Sequence, residues 1–182
     1  MSIYIISDYH FDDGWINENL RNFADVNAMN ETMLERASNT VGQDDKFVFF
    51  GDIVGKDRDE KQAWEWQGKL PEIDTWIVGN HDPFEASNYD DSHLPLQRGC
   101  ELTKGKYSFI GRHRPGNLPE FKSDIEWGIY GHKHTNHKKN YPFLDQESQR
   151  INVSAGLVHY RPISLSEIID LIETGNSYGV RP

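Results

Sequence analysis

The sequence predicts a layered α/β domain, and three observations carry that reading. Short apolar runs rich in β-branched and aromatic residues recur along the chain, each too short for a helix. Segments with apolar residues at helical spacing lie between the early runs. Each of the five clearest runs ends on one small residue, followed at once or one position later by a polar side chain. The first run, Ile3-Tyr4-Ile5-Ile6, reads as a buried strand. Met29, Met33, Leu34 and Ala37 then predict a helix over residues 26–41, capped by Asp25 or Asn27. Residues 47–50, Phe-Val-Phe-Phe, give the second strand. Ala63, Trp64 and Gln67 mark a second helix within 57–70 that stops before Pro71. Strands follow at 75–78, 107–110 and 127–130, with a shorter one at 151–153. Ser164 and Glu167 have capping-box spacing ahead of Ile168, Ile169, Leu171 and Ile172, which predicts a final helix ended by Gly175. Without repeats or a linker, residues 1–182 read as one domain, in which the connections at 83–106, 114–126 and 133–150 are long enough to carry function.

Composition narrows the function classes. Of 182 residues, 36% are hydrophobic and 26% charged, and no apolar run is long enough to span a membrane. Nineteen Lys+Arg against 29 Asp+Glu leave a formal charge of −10, so gripping long duplex nucleic acid through a basic face is not expected. A lone cysteine, Cys100, forms neither an internal disulfide nor a thiolate cluster and reads as a small packed residue. With no basic leader before the first strand, a cytoplasmic location is expected.

The chemistry gathers where the strands end. Ile6 is followed by Ser7-Asp8, Phe50 by Gly51-Asp52, Val78 by Gly79-Asn80, Ile110 by Gly111-Arg112-His113, and Tyr130 by Gly131-His132. Ligands of α/β sheets collect at the carboxyl ends of strands, and glycine there permits a sharp turn and close approach. His10, His81, Asp82 and His134 lie one or two residues beyond, so five of the eight histidines fall in these segments. Imidazole with carboxylate suits Mn, Fe, Zn or Ni, and the absence of thiolates excludes a cysteine-type zinc site.

The ordered series Asp8-Tyr9-His10, Gly51-Asp52, Gly79-Asn80-His81-Asp82, His113 and Gly131-His132-Lys133-His134 resembles the calcineurin-like metallophosphoesterase family over residues 8–134. Ser7 through Phe11, Asn152-Val153-Ser154 and Tyr160 through Leu165 look like its compact bacterial and phage subgroup. The resemblance implies a four-layer αββα sandwich with the site at one edge of two sheets. It implies two divalent cations, Mn foremost with Fe, Zn or Ni as alternatives. Asp8, His10, Asp52 and His134 would hold the first, and Asp52, Asn80, His113 and His132 the second, with Asp52 shared. The implied activity is hydrolysis of a phosphomonoester or phosphodiester by in-line attack of a shared hydroxide, with His81 assisting the leaving group and Asp82 orienting its ring. The substrate would be a phosphorylated small molecule or a short nucleotide. Two cations offset by two carboxylates make such a cleft attractive to phosphate even in an acidic protein.

Other residues are less committed. Asp12-Asp13-Gly14 stands where the subgroup more often has a Gly-His pair, and the two acids read as a solvated turn. Arg112, Arg114 and Lys133 flank the expected ligands and are candidate substrate contacts. Arg161 is a candidate phosphate clamp. His137 reads as an exposed histidine. Trp64 and Trp66, two apart, must point to different sides of their helix. Alternative functions on the same fold are a nuclease, a cyclic nucleotide phosphodiesterase, or a non-catalytic scaffold like the family's retromer-coat member, which lacks the catalytic histidine.

Overall fold

Consecutive parallel strands need crossovers between them, and covered on both faces they read as unbroken apolar runs. The computed structural model, which describes residues 1–84 and 95–175, places these runs in two mixed five-stranded sheets flanked by helices. In the first sheet, β1 (Ile3–Ile6), β2 (Lys46–Phe49), β3 (Thr75–Ile77) and β4 (Leu96–Gln97) are parallel. At its edge β10 (Ile163–Ser164) pairs antiparallel with β1. The second sheet has parallel β6 (Tyr107–Gly111), β7 (Glu126–Tyr130) and β9 (Arg150–Asn152) at its centre. Antiparallel β5 (Cys100–Lys104) and β8 (Leu144–Asp145) form its edges. Just past the ends of β1 and β9 the two sheets are stitched together: the Ser7 amide donates to Val153 (3.1 Å) and the Ala155 amide to Ser7 (3.0 Å).

One hydrophobic cluster takes in side chains from both sheets, including Ile5, Phe47, Phe49 and Trp76 of the first and Phe109, Ile129 and Ile151 of the second. Burial of each is worth about 1.5–3 kcal/mol. Helix α2 (Val26–Thr40) adds Met29, Met33 and Ala37, and its cap is Asp25, which accepts from the Ala28 amide. Helix α3 (Glu60–Gln67) is shorter than the 57–70 span because Asp59 and Gln62 form a capping box that fixes its start. Trp64 and Trp66 do part ways: Trp64 packs against Trp76 and Phe84, whereas Trp66 stacks on Phe11 at 4.3 Å. Helix α4 (Leu165–Thr174) has the expected Ser164–Glu167 box and stops at Gly175, whose φ of +66° supplies the left-handed turn.

Strands β4, β5, β8 and β10 do not stand out in the sequence. Three are two residues long, and β5 alternates half-buried and exposed side chains, so their pairing partners rather than their own apolarity define them. The helical turn α1 (Gly14–Ile16), which runs into a π-helical turn at Asn17–Arg21, likewise leaves no trace in the sequence, since neither segment carries an apolar period. Residues 85–94, in the expected long connection 83–106, fall outside the described residues. Cys100 is half-buried in β5, and burial pushes its thiol up to about 12. Among the described residues, no helix is long and apolar enough to cross a membrane.

Candidate metal centre

Three of the parallel strands of the first sheet, β1, β2 and β3, deliver a ligand-type side chain just beyond their carboxyl ends, and tight backbone packing is what allows this. Asp8 and Asp52 adopt left-handed φ of 60° and 57°, as do His10 (50°) and His132 (68°). Asp and His tolerate this region better than most side chains, and such conformations persist where the surroundings over-determine them. Here the Asp8 amide donates to Gly51 (2.8 Å) and the His10 amide to Asp52 (3.0 Å). The Arg21 guanidinium donates to the carbonyls of Asp8 and Tyr9. Burial pulls Arg21 down to about 10, so it stays charged at neutral pH. Glycine is required where strand ends approach. A Cβ on Gly79 would lie 2.5 Å from the Asp52 amide nitrogen, and one on Gly131 would lie 2.5 Å from Oδ2 of Asp8. That is the physical content of the recurring pattern of a small residue before a ligand.

The second sheet brings imidazoles to the same place. His113 follows β6 and places Nδ1 2.7 Å from the Phe50 carbonyl, which holds a proton on Nδ1 and turns Nε2 toward Asp52 and Asn80. His132 and His134 follow β7. Their loop is tied down by Asn152, whose Nδ2 donates to the carbonyls of Lys133 (2.7 Å) and Tyr141 (3.2 Å). Asp8 in turn accepts from the His132 amide and from the hydroxyls of Ser7 and Ser154.

Two groups of donors result: Asp8 with His10 and His134, and Asp52 with His113 and His132. Within each group the donor atoms lie inside 4.8 Å of one another. Asp52 Oδ2 sits between the groups, 3.6 Å from His10 Nε2 and 3.3 Å from His113 Nε2. His134 Nε2 and His10 Nε2 are 3.8 and 3.9 Å from Asp8 Oδ1, and Asn80 Oδ1 is 3.2 Å from His113 Nε2. Donors about 2.0–2.2 Å from one cation lie roughly 3–3.6 Å apart, so these separations are close to those of shared ligands. His10 is 1% exposed, yet among the described residues neither of its ring nitrogens has a hydrogen-bond partner. A buried imidazole orphaned in this way, facing two carboxylates, fits a cation.

Electrostatics agree. Burial alone would raise both carboxylates, but the surrounding imidazoles prevail and hold Asp8 and Asp52 below their ordinary range. Burial and His113 drive His132 down to about 4; burial likewise lowers His134 to about 4. His113 goes the other way, to about 9: burial opposes its charge, but the contact with Asp52 outweighs it. One proton shared by His113 and Asp52 thus balances part of the acidic charge.

The donors open into a cleft of about 630 Å³ lined by His10, Asp52, His81, His132 and His134, with Trp15, Lys56, Arg58 and Lys133 on its walls. His81 is half-buried, its ring centroid 5.2 Å from that of His10, and its amide donates to Asp52 Oδ1 (2.8 Å). Asp82 does not orient His81, contrary to expectation. Its carboxylate is consumed by the amides of Asp52, Ile53 and Gly79 and by the Trp76 indole, so it positions the β2 and β3 endings. Burial, reinforced by Asp52, raises Asp82 to about 6.

Three further expectations change. Asp12 and Asp13 are not a solvated turn: Asp12 binds Asn30 and Trp66, while Asp13 caps α1 through the Ile16 amide and lies 3.5 Å from His10 Nδ1. Arg161 does not reach the metal cleft. Left-handed turns at His159 and Tyr160 carry it away to Glu167 (2.7 Å) and into a separate depression with Tyr4 and Arg36. Arg112 turns back on the Gly111 carbonyl and does not line the cleft, and neither does Arg114, which is exposed; of that basic trio only Lys133 does. The roles of Arg21 and Ser154 are hydrogen bonds to Asp8 and Tyr9, and that of Asp13 is a charge beside His10, none of which any local pattern announces.

The family model for calcineurin-like phosphoesterases matches residues 1–96, more than half of the chain. The chain belongs to that family. An uncharacterized protein of Methanocaldococcus jannaschii, MJ1445, is 33% identical over 95% of this phosphoesterase-family chain and 92% of its own. Among solved structures, a protein of unknown function from Aquifex aeolicus, AQ665, superposes with a TM-score of 0.67 at 21% identity, covering 93% of this chain and 98% of its own. YfcE, a phosphoesterase from E. coli, superposes with a TM-score of 0.50 at 19% identity, covering 86% of this chain and 79% of its own. Both share the fold of this family member.

Proposed function

We propose that this chain is a phosphoester hydrolase working with two divalent cations. The observation that carries the reading is Asp52 Oδ2, within 3.6 Å of an imidazole from each of the two donor groups. Asp8, His10, Asp52 and His134 hold one cation and Asp52, Asn80, His113 and His132 the other. Manganese heads the candidates, with Fe, Zn or Ni, because the donors are imidazole, carboxylate and amide without thiolate. When bound, the pair supplies water activation and charge neutralisation at phosphate oxygens.

The chain's own residues do the rest. Asp8 and Asp52, held as carboxylates by their neighbours, offset cationic charge and leave the mouth attractive to a phosphate dianion. His113 presents Nε2 because the Phe50 carbonyl holds its other nitrogen. His81 lies on the cleft wall, where its ring donates a proton or hydrogen bond to the departing oxygen. Asp82 keeps the Asp52 and Gly79 backbones in register beneath it.

The test is phosphate or alcohol release from mono- and diesters, nucleotides and cyclic nucleotides, with Mn, Ni, Zn or Mg, with and without a chelator, beside Asp52→Asn. Metal-dependent turnover abolished by both the chelator and the substitution is expected. Equal rates in wild type and Asp52→Asn would defeat the proposal.

A further inference from the structure

The helical lip at Gly14–Arg21 holds the least explained side chain of the molecule. Trp15 is 64% exposed, one of three exposed large hydrophobic residues among those described and the one aromatic among them. The other four tryptophans are buried or half-buried, and each indole N–H has a partner: Glu60 for Trp64, Asp12 for Trp66, Asp82 for Trp76 and the Asp124 carbonyl for Trp127. Among the described residues, Trp15 has neither an indole partner nor a stacked ring. A freely exposed indole forfeits the burial that an aromatic of this size normally gains.

Its position gives the exposure meaning. Trp15 lines the same cleft as His10, Asp52, His81 and His132. The lip beneath it is well fixed: Asp13 caps its start, Asn19 Nδ2 donates to the Trp15 carbonyl (2.8 Å), and Asn22 closes it in a left-handed turn. π-helical turns such as this one occur often at functional sites. The remaining wall distinguishes between ligands. A fatty or isoprenoid chain would need a continuous apolar groove, whereas beyond the lip the cleft is lined by Lys56, Asp57, Lys133, Asn136 and His137. Such a wall suits a group with one stackable face, polar edges and an attached anion.

We infer that Trp15 is a specificity-determining residue that stacks the base of a nucleoside phosphate while the phosphate occupies the donor cluster. This rests on the proposed hydrolase reading and names its substrate class. Base–indole stacking of this kind changes affinity by about tenfold or more when the indole is removed.

The experiment measures binding and turnover separately on the full chain loaded with manganese. Titration calorimetry compares adenosine 5′-monophosphate with inorganic phosphate in wild type, Trp15→Ala and Trp15→Phe. The nucleotide should bind about tenfold or more tightly than phosphate to wild type, lose that advantage in Trp15→Ala and keep most of it in Trp15→Phe, with manganese content unchanged. Steady-state phosphate release should show KM for the nucleotide raised in Trp15→Ala, and KM for glycerol 2-phosphate unaltered. Trp15-dependent nucleotide binding without any ester hydrolysis would overturn the hydrolase reading and leave the base subsite standing. Hydrolysis of both esters with the same KM in Trp15→Ala as in wild type would overturn the subsite and leave the hydrolase. A change of oligomeric state in Trp15→Ala at constant nucleotide affinity would also overturn it, marking the indole as a protein contact.

Discussion

The two walls of the candidate metal centre are built differently. The first sheet contributes Asp8, His10, Asp52 and Asn80 beyond the ends of β1, β2 and β3, whereas the second contributes His113, His132 and His134 after β6 and β7. The acidic wall is sealed, with Asp8 wholly buried and Asp52 1% exposed, and it is braced by backbone amides and serine hydroxyls. On the imidazole wall His113 is buried, but His132 and His134 are only half-buried, on a loop pinned by Asn152. Both carboxylates thus lie where water cannot reach them, whereas His132 and His134 stand where the cleft opens to solvent. Burial lowers His132 and His134, and the facing imidazoles keep Asp8 and Asp52 as carboxylates against their burial.

The sharpest challenge to this division is to compare one residue from each wall. Asp52→Asn removes the carboxylate that both donor groups share, so it should lose both cations and at least ~10³-fold in kcat/KM. His132→Ala should retain one cation. Metal content by mass spectrometry separates the two, and equal metal loss would mean that the walls are not distinct. His81→Ala, outside both donor groups, should keep full metal content and lose about 10²–10⁴-fold in kcat.

Smaller effects refine the picture. Asp13 lies 3.5 Å from His10 Nδ1, so Asp13→Asn should weaken metal binding by about 10–100-fold while leaving the thermal midpoint nearly unchanged. The metal-free protein should also release about one proton on binding at pH 7.5. His113, at about 9, is protonated there and must give up its proton, whereas His132 and His134, at about 4, are already neutral. Affinity should therefore rise with pH toward 9, as measured by calorimetry in buffers of different ionisation enthalpy. No proton release would place the charge elsewhere. Arg161→Ala, remote from both walls, should change kcat/KM by less than about twofold.

Legibility in the sequence followed locality. The five strands that end in ligands were readable because each is a short apolar run followed by glycine or serine, and α4 because its capping box and Gly175 are local signals. The candidate ligands Asp8, His10, Asp52, Asn80, His113, His132 and His134 were readable because strand ends are where such groups collect. The partners of Asp82 and the cleft that Arg161 enters are not legible, because both turn on backbone direction: the amides that surround Asp82 and the left-handed turns at His159 and Tyr160 lie beyond any side-chain pattern.

Sequence alone therefore determined the chemical types of the candidate ligands, their order along the chain and the strands that end in them, since these depend on hydrophobic periodicity and on glycine's lack of a Cβ. Tertiary structure decided that Asp52 lies between two donor groups, that Asp13 serves His10, and that Trp15 stands bare beside them. Those facts arise where two sheets meet, through contacts between residues as far apart as Asp8 and Ser154, and no local rule of spacing encodes such a meeting.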